Sequence, residues 1–319
     1  MFDSPDLLEI AMLRYTVFRT AQMVVVVFGV VTLVFFILRF ASGDPARMMN
    51  PPGTPEDMVQ LTREKLGTDK PLMVQYWIYI AGLARGDLGI SFRGSQPVFD
   101  TLLDAFPNTA MLAAVTILFS STVALILGIS AALRADSALD RSVLVYVAVA
   151  LATPSFWLGI VLVLIFSIKL KWLPAIDMTG PKSFVLPVLT LTVLLTPVLI
   201  RTVRQSFLET LSDDHIRAAR ARGIPERRVI LVHGLKVAAI PLVTLIGLQL
   251  GMILAGSYVV ESIFNWPGIG KLTLDAVANR DFPMIQGGVL IAALAFVTVN
   301  FFVDLAYAAL DPRIRVGSK

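Results

Sequence analysis

Of 319 residues, 56% are hydrophobic and only 16% charged, whereas a soluble domain carries nearer a quarter charged residues, so a water-soluble globule is excluded. Cysteine is absent, which removes disulfides and thiolate metal sites, and the two histidines, His215 and His233, cannot make a zinc centre alone. The net charge of +4 comes from Lys and Arg placed in the loops and is not read as nucleic-acid binding.

Apolar runs of about 20 residues each cross roughly 30 Å of hydrocarbon as a helix, and they exclude a barrel of alternating 10-residue strands. Six spans are predicted, at 18–38, 108–133, 142–168, 184–204, 240–262 and 287–309. The first follows Arg14 and Arg19 and reads as a retained signal anchor, because its core from Ala21 to Leu38 exceeds the usual signal-peptide length. Basic residues set the orientation. With both termini cytoplasmic, segments 1–19, 134–141, 201–236 and 310–319 hold 15 of the 27 Lys and Arg, in fewer residues than the external segments occupy.

The chain then divides into a cytoplasmic segment 1–17, a first transmembrane helix 18–38, an external segment 39–106, a five-span core 107–309 and a cytoplasmic tail 310–319. The external segment is too short and polar for a core of its own. Gly43-Asp44-Pro45 and Pro51-Pro52-Gly53 mark turns, and helices are expected at 55–66 and 71–84. Trp77 and Tyr79 suit the headgroup region as interfacial anchors. Trp172, at a membrane exit, and the turn-forming Asn265-Trp266-Pro267-Gly268-Ile269-Gly270 are candidates for external docking.

Inside the spans, Pro154, Pro187 and Pro197 each remove a helix hydrogen bond and predict kinks, which suit a path that opens but also occur in static bundles. Gly247 and Gly251 form a G-x-x-x-G that lets a helix approach closely, as a packing face or a pore lining. Buried carboxylates of the kind ion pumps use are scarce. Asp304 and Glu261 lie near span ends and read as loop anchors or Arg partners, which points to an energy source outside the chain.

The polar stretch 205–239 between spans 4 and 5 carries most information. Asp213-Asp214 favours a helix start at His215, and His215 to Arg222 makes a short helix that Gly223-Ile224-Pro225 ends. Ala218, Ala219 and Ala221 give it a surface of little bulk flanked by Arg217 and Arg222, a shape that enters a groove on a partner.

This stretch resembles the cytoplasmic motif of ABC-importer permeases: Glu-Ala-Ala, three residues, Gly, nine residues, Ile-x-Leu-Pro. Ala218 and Ala219 match the small pair, Gly223 the glycine and Ile240-Pro241 the closing pair, while Arg217 stands where the leading Glu is expected. Arg217 to Gly223 is similar to the form found in the dipeptide/oligopeptide/nickel branch. Further matches run in order along the chain. They include Arg85-Gly86-Asp87-Leu88-Gly89, Pro107-Asn108-Thr109, Thr153-Pro154-Ser155-Phe156, Trp172-Leu173-Pro174, Pro267-Gly268-Ile269-Gly270 and Leu310-Asp311-Pro312-Arg313.

The resemblance implies an all-α, six-span type I importer-permease fold in a bacterial inner membrane, as the "B" half of a heterodimer. It implies a sister permease, two cytoplasmic ATP-binding subunits that hold ATP and Mg, and an extracytoplasmic substrate-binding protein. Asp214 to Gly223 would couple those ATPases to dipeptide or oligopeptide import, with nickel or glutathione as alternative cargo. No catalysis is expected here: Gly268-Ile269-Gly270-Lys271 lacks the first glycine and the hydroxyl of a phosphate loop. An ion-coupled secondary transporter is the rival class.

Overall fold

The computed structural model describes residues 5–40, 44–175 and 180–310. Gly43 and the tail motif Asp311-Pro312-Arg313 lie outside the described residues. The first span sits in α1 (Pro5–Phe40), followed by α2 (Pro45–Met49), α3 (Glu56–Leu66) and α4 (Leu72–Ala84). Asp44 starts α2 by accepting from the Ala46 amide, and Gly67 ends α3 in the left-handed conformation. The long α5 (Val98–Leu133) leads to α6 (Ala138–Ala152) and α7 (Ser155–Leu162), which continues as a π-helical stretch to Lys169. After α8 (Val185–Ser212) come α9 (Asp214–Ala221) and α10 (Glu226–Arg228), then a π-helical stretch Val229–Gly234 running into α11 (Leu235–Leu254). The chain closes with α12 (Tyr258–Ile263), α13 (Ile269–Asn279) and α14 (Phe282–Leu310).

Two predicted spans are corrected. Among the described residues four helices, within α1, α5, α8 and α14, are long and apolar enough to cross a bilayer. Span 3 is broken rather than kinked: α6 and α7 meet at 102° across Thr153-Pro154, and they count as a fifth crossing only if taken together. Proline at 154 cannot donate to the α6 ladder, so it opens a new helix instead. Span 5 stops at Leu254, because the backbone turns at Gly256 with φ +121° before α12 begins. Its 20-residue α11 is about 30 Å long, and the predominantly apolar part is the shorter stretch Pro241–Leu254.

The most enclosed helix is α8, with 61% of its apolar window buried against 11% for α1. Around it lie two apolar cores. One gathers Ala124, Val143, Val147, Leu199, Ile200, Val203, Phe207 and Leu242 from α5, α6, α8 and α11. The other gathers Leu112, Leu162, Leu186, Leu191, Ile253, Phe264 and Trp266. Along the chain, Ser120, Thr153-Pro154, Thr196-Pro197 and Gln249 fall between the residues of the two cores. Gln249 Nε2 donates to the Leu195 carbonyl at 3.1 Å. Thr196 Oγ1 lies 3.4 Å from the Val193 carbonyl, whose usual amide donor Pro197 removes.

The G-x-x-x-G face has its partner within this chain. A Cβ at Gly247 would collide with Val303, and one at Gly251 would lie 2.8 Å from Phe296, so both glycines seat α11 on α14. Asp304 pairs with Arg19 at 3.0 Å and ties α14 to α1.

Candidate functional site

Span 4 does not end at Arg204: α8 runs on to Ser212, since no Gly or Pro interrupts it after Pro197. One extended residue, Asp213 (ψ 148°), separates it from α9. The Asp213 carbonyl accepts from the Ile216 and Arg217 amides, at 3.1 and 3.2 Å. Its carboxylate makes no cap and lies 3.5 Å from His215 Nδ1 instead.

The far end of α9 closes as a complete Schellman turn. Gly223 N–H donates to the Arg220 carbonyl at 2.9 Å, and Ile224 N–H to the Ala219 carbonyl at 3.3 Å. Gly223 stands at φ +76°, which only glycine adopts without strain. Arg220 then forks onto Glu226 at 3.1 and 2.7 Å across the turn. That hydrogen-bonded pair holds the Glu226 carboxyl below its ordinary range and lifts the Arg220 guanidinium above its own.

The eight residues of α9 divide into two faces. Ile216 and Ala219 are buried against Val229, with Ile224 alongside. Asp214, His215, Arg217, Ala218, Arg220 and Ala221 are exposed, as are Arg222 and Gly223 of the turn that follows. Ala219 therefore does not belong to the bare surface expected of the alanine trio; its small side chain lets α9 settle on the returning helix. Arg217 lies 3.3 Å from Asp214 along the exposed face. Behind this platform Phe207 is fully buried, and Gly234 packs so closely that a Cβ there would stand 2.9 Å from the Phe207 ring. The arrangement is a short post, bare on one side and fastened on the other, between helices α8 and α11.

The expected external docking residues separate. Trp172 is 65% exposed at the end of the π-helical stretch, near Phe166. Trp266 and Gly268 are corrected: both are buried and offer no docking surface. Trp266 packs edge-on against Phe184 and donates through Nε1 to the Asn108 carbonyl at 3.1 Å. A Cβ on Gly268 would strike Glu261 and Thr109. The cause is Glu261, which is fully buried and accepts from Thr109 Oγ1 (3.2 Å), Ser257 Oγ (3.3 Å) and the Lys271 amide (3.0 Å). This carboxylate folds the 264–271 turn inward onto α5. It also occupies the Lys271 amide that a phosphate loop would aim at its ligand.

Sequence reasoning missed two contacts between α6 and α8. Arg204 forks onto Asp140 at 2.7 and 2.8 Å, and Tyr146 bonds Thr196 at 2.7 Å. Only the placement of Asp140 and Arg204 near one expected membrane face hinted at the first. Among the described residues no cluster of acidic and histidine side chains is placed to hold a metal ion.

A family described as binding-protein-dependent transport system inner membrane component matches residues 124–316, and its N-terminal counterpart matches residues 12–113. The glutathione transport system permease proteins GsiC of Escherichia coli (strain K12) and Shigella dysenteriae serotype 1 are similar to this chain. Each is 39% identical over 304 residues, covering 95% of this chain and 99% of its own. A chain of the MetNI methionine ABC transporter, in an inward-facing conformation, shares the fold with a TM-score of 0.55 at 19% identity. That likeness covers 66% of this chain and 96% of the other. The resemblance to importer permeases and the all-α type I fold thus stand, in a multi-pass protein of the inner membrane. The chain belongs to the family of binding-protein-dependent transport system inner membrane components, as a permease subunit and not an enzyme.

Proposed function

We propose that this permease forms half of the translocation path of an ATP-driven importer of short peptides, dipeptides and the tripeptide glutathione among them. A sister permease supplies the other half. Two cytoplasmic ATPase subunits, holding ATP and Mg, drive the cycle, and an extracytoplasmic binding protein delivers cargo. The observation that carries the reading is the α9 post: its bare face of Asp214, Arg217, Ala218, Ala221 and Arg222 is free to enter a groove, while Ile216 and Ala219 fasten it to the bundle. Nucleotide-driven closure of the ATPases would move α9 and, through Asp213 and Gly223, helices α8 and α11. The permease then alternates between outward-open and inward-open states, an equilibrium biased by ligands at both faces.

Peptide cargo is favoured by the 39% identity to glutathione permeases over nearly the whole chain. Nickel is the second reading, from the resemblance of residues 217–223. Calorimetry on the partner binding protein discriminates, using dipeptides, tripeptides, glutathione and nickel ions. Tight binding of nickel with none of a peptide overturns the peptide reading and leaves the permease role intact.

A further inference from the structure

Helix α6 touches α8 at two polar points with an apolar stretch between them. At one end Arg204 Nε and Nη2 donate to the two carboxylate oxygens of Asp140, at 2.7 and 2.8 Å. The Asp140 side chain is 2% exposed, and the same carboxylate accepts from the Asp136 amide, so the turn leading out of α5 is held as well. At the other end Tyr146 donates to Thr196 Oγ1, since the Thr196 hydroxyl proton is already given to the Thr192 carbonyl. Asp140 and Tyr146 are roughly 9 Å apart along α6, and Thr196 and Arg204 roughly 12 Å apart along α8. Antiparallel helices therefore meet both points together. Val143 in the interval and Val147 just past it share one apolar core with Leu199, Ile200 and Val203.

Beyond these points both helices change. α6 ends at Ala152 and α7 departs at 102°, while α8 passes through Pro197 into the other core. We propose that Asp140 and Tyr146 are positioning residues: Asp140 fastens α6 to the lower half of α8 through Arg204, and Tyr146 seats α6 on the Thr196 pivot at the edge of that half. In the transport cycle α6, residues 198–212 and α9 then travel as one body. Thr153-Pro154 and Thr196-Pro197 are the hinges about which that body turns against the core containing α7. A bidentate, buried ion pair resists sliding because breaking it strands a charge in a poor solvent. Thr153-Pro154 is a break between two helices, and within the continuous α8 Pro197 leaves the Val193 carbonyl without its helical amide donor, which softens the helix there.

This inference rests on the coupling role of α9, and its test separates the two. The absence of cysteine allows spin labels at introduced cysteines alone. Three exposed positions form a triangle: Val145 on α6, Ile160 on α7 and Gln205 on α8. Pulsed electron-electron resonance is recorded on the assembled importer without nucleotide and trapped with ATP and vanadate. The expected result is an unchanged 145–205 distance with shifts in both 145–160 and 205–160. If 205–160 stays fixed, the motion itself is absent and the coupling reading falls. If 205–160 shifts and 145–205 shifts with it, or 145–160 stays fixed, the fastening is overturned.

A second arm uses Asp140→Ala with Tyr146→Phe, which should broaden the 145–205 distribution and lower transport per ATP about tenfold, within the usual range of coupling between sites. Asp140→Glu should restore the narrow distribution. A double variant that assembles and keeps a narrow 145–205 distribution removes both residues from the role. Should it fail to assemble, the triangle in the parent sequence still decides.

Discussion

Replacing Gly223 tests the proposed coupling post at one of its two exposed joints. The residue holds φ +76°, and a Cβ built there meets nothing within 4 Å, so any penalty is one of backbone conformation and not of crowding. For an L-residue that conformation costs about 1–2 kcal/mol, more for a β-branched one and less for Asn or Asp. The Schellman turn opposes the penalty with two hydrogen bonds, each worth about 1 kcal/mol net, so the two quantities are of one size. Since 1.4 kcal/mol is tenfold in an equilibrium constant, Gly223→Val should depopulate the closed turn by about tenfold or more. Gly223→Asn and Gly223→Asp should depopulate it less. The assay is cargo uptake per ATP hydrolysed in proteoliposomes, alongside the yield of assembled complex. Uptake per ATP should fall in the order Gly, Asn, Asp, Val while assembly is kept. Equal effects of Asn and Val would refute the conformational argument, and an unchanged ratio for Val would remove α9 from coupling.

The Arg220–Glu226 pair gives a pH dependence with a definite sign. Because Glu226 is held below its ordinary 4.5, its contribution is complete above that value and is lost as pH falls through the lowered one. Uptake per ATP should thus be insensitive to this pair from neutrality down to about pH 5, and Glu226→Gln should abolish any loss seen in more acid buffer. Both ends are partly exposed, so the effect is small and salt should weaken it. In the packing, Gly247→Ala and Gly268→Ala should each cost about 1–3 kcal/mol, read as a lowered unfolding temperature in detergent. Gly29→Ala, with nothing within 4 Å of the added carbon, should be nearly neutral, and a comparable loss there would discredit the clash argument. Finally, Tyr76 bonds Thr32 at 2.8 Å, about 12 Å along α1 from Phe40, which sets α4 beside the membrane-spanning part of α1. A Trp77→Cys side chain should therefore react with an impermeant maleimide more slowly than Asp57→Cys; equal rates would place α4 in water.

Local features of the sequence carried most of the helices. Proline 55 and Gly67 bracket α3, and Pro71 starts α4, each by fixing or freeing one backbone torsion. Hydropathy failed where backbone and polarity disagree. Residues 201–212 are polar yet contain no helix breaker, so α8 overran its predicted end. Residues 255–257 are nearly apolar, so the run continued on paper across a turn that Gly256 makes in space. The bounds of the short helix α9 were legible because their signals, an acidic start and a Gly-x-Pro stop, are a few residues apart. The face of Ala219 was not, because it depends on Val229 ten positions on. Asp140 and Arg204 are 64 residues apart, and Thr109 and Glu261 152 apart. No spacing rule reaches such pairs, and a buried carboxylate is the feature hydropathy argues against. Glu261 therefore misled the reading of Trp266 and Gly268: turn-forming residues were taken as exposed loop, when a hidden acceptor had drawn them inside.

The two sides of the proposed coupling post are unequal, and this bears on the direction in which a push on it would travel. From Pro197 to Ser212 helix α8 is a continuous rod of roughly 22 Å, with Phe207 and Thr210 buried along it and no π-helical or glycine interruption. On the other side α10 has three residues and gives way to the π-helical stretch Val229–Gly234, a rare geometry with wider turns that is frequent at functional sites. Among the described residues the apolar cluster beneath α9 is small, with Ile216, Ala219 and Val229 buried and Ile224 alongside. On the proposed coupling role, a push on α9 would be delivered mainly through the covalent rod of α8. The π-helical entry to α11 has the local give to let that rod turn without tearing the second connection. Stiffness on one side and compliance on the other would let a single eight-residue helix direct its displacement toward the proposed Thr196-Pro197 hinge instead of dissipating it at the membrane surface.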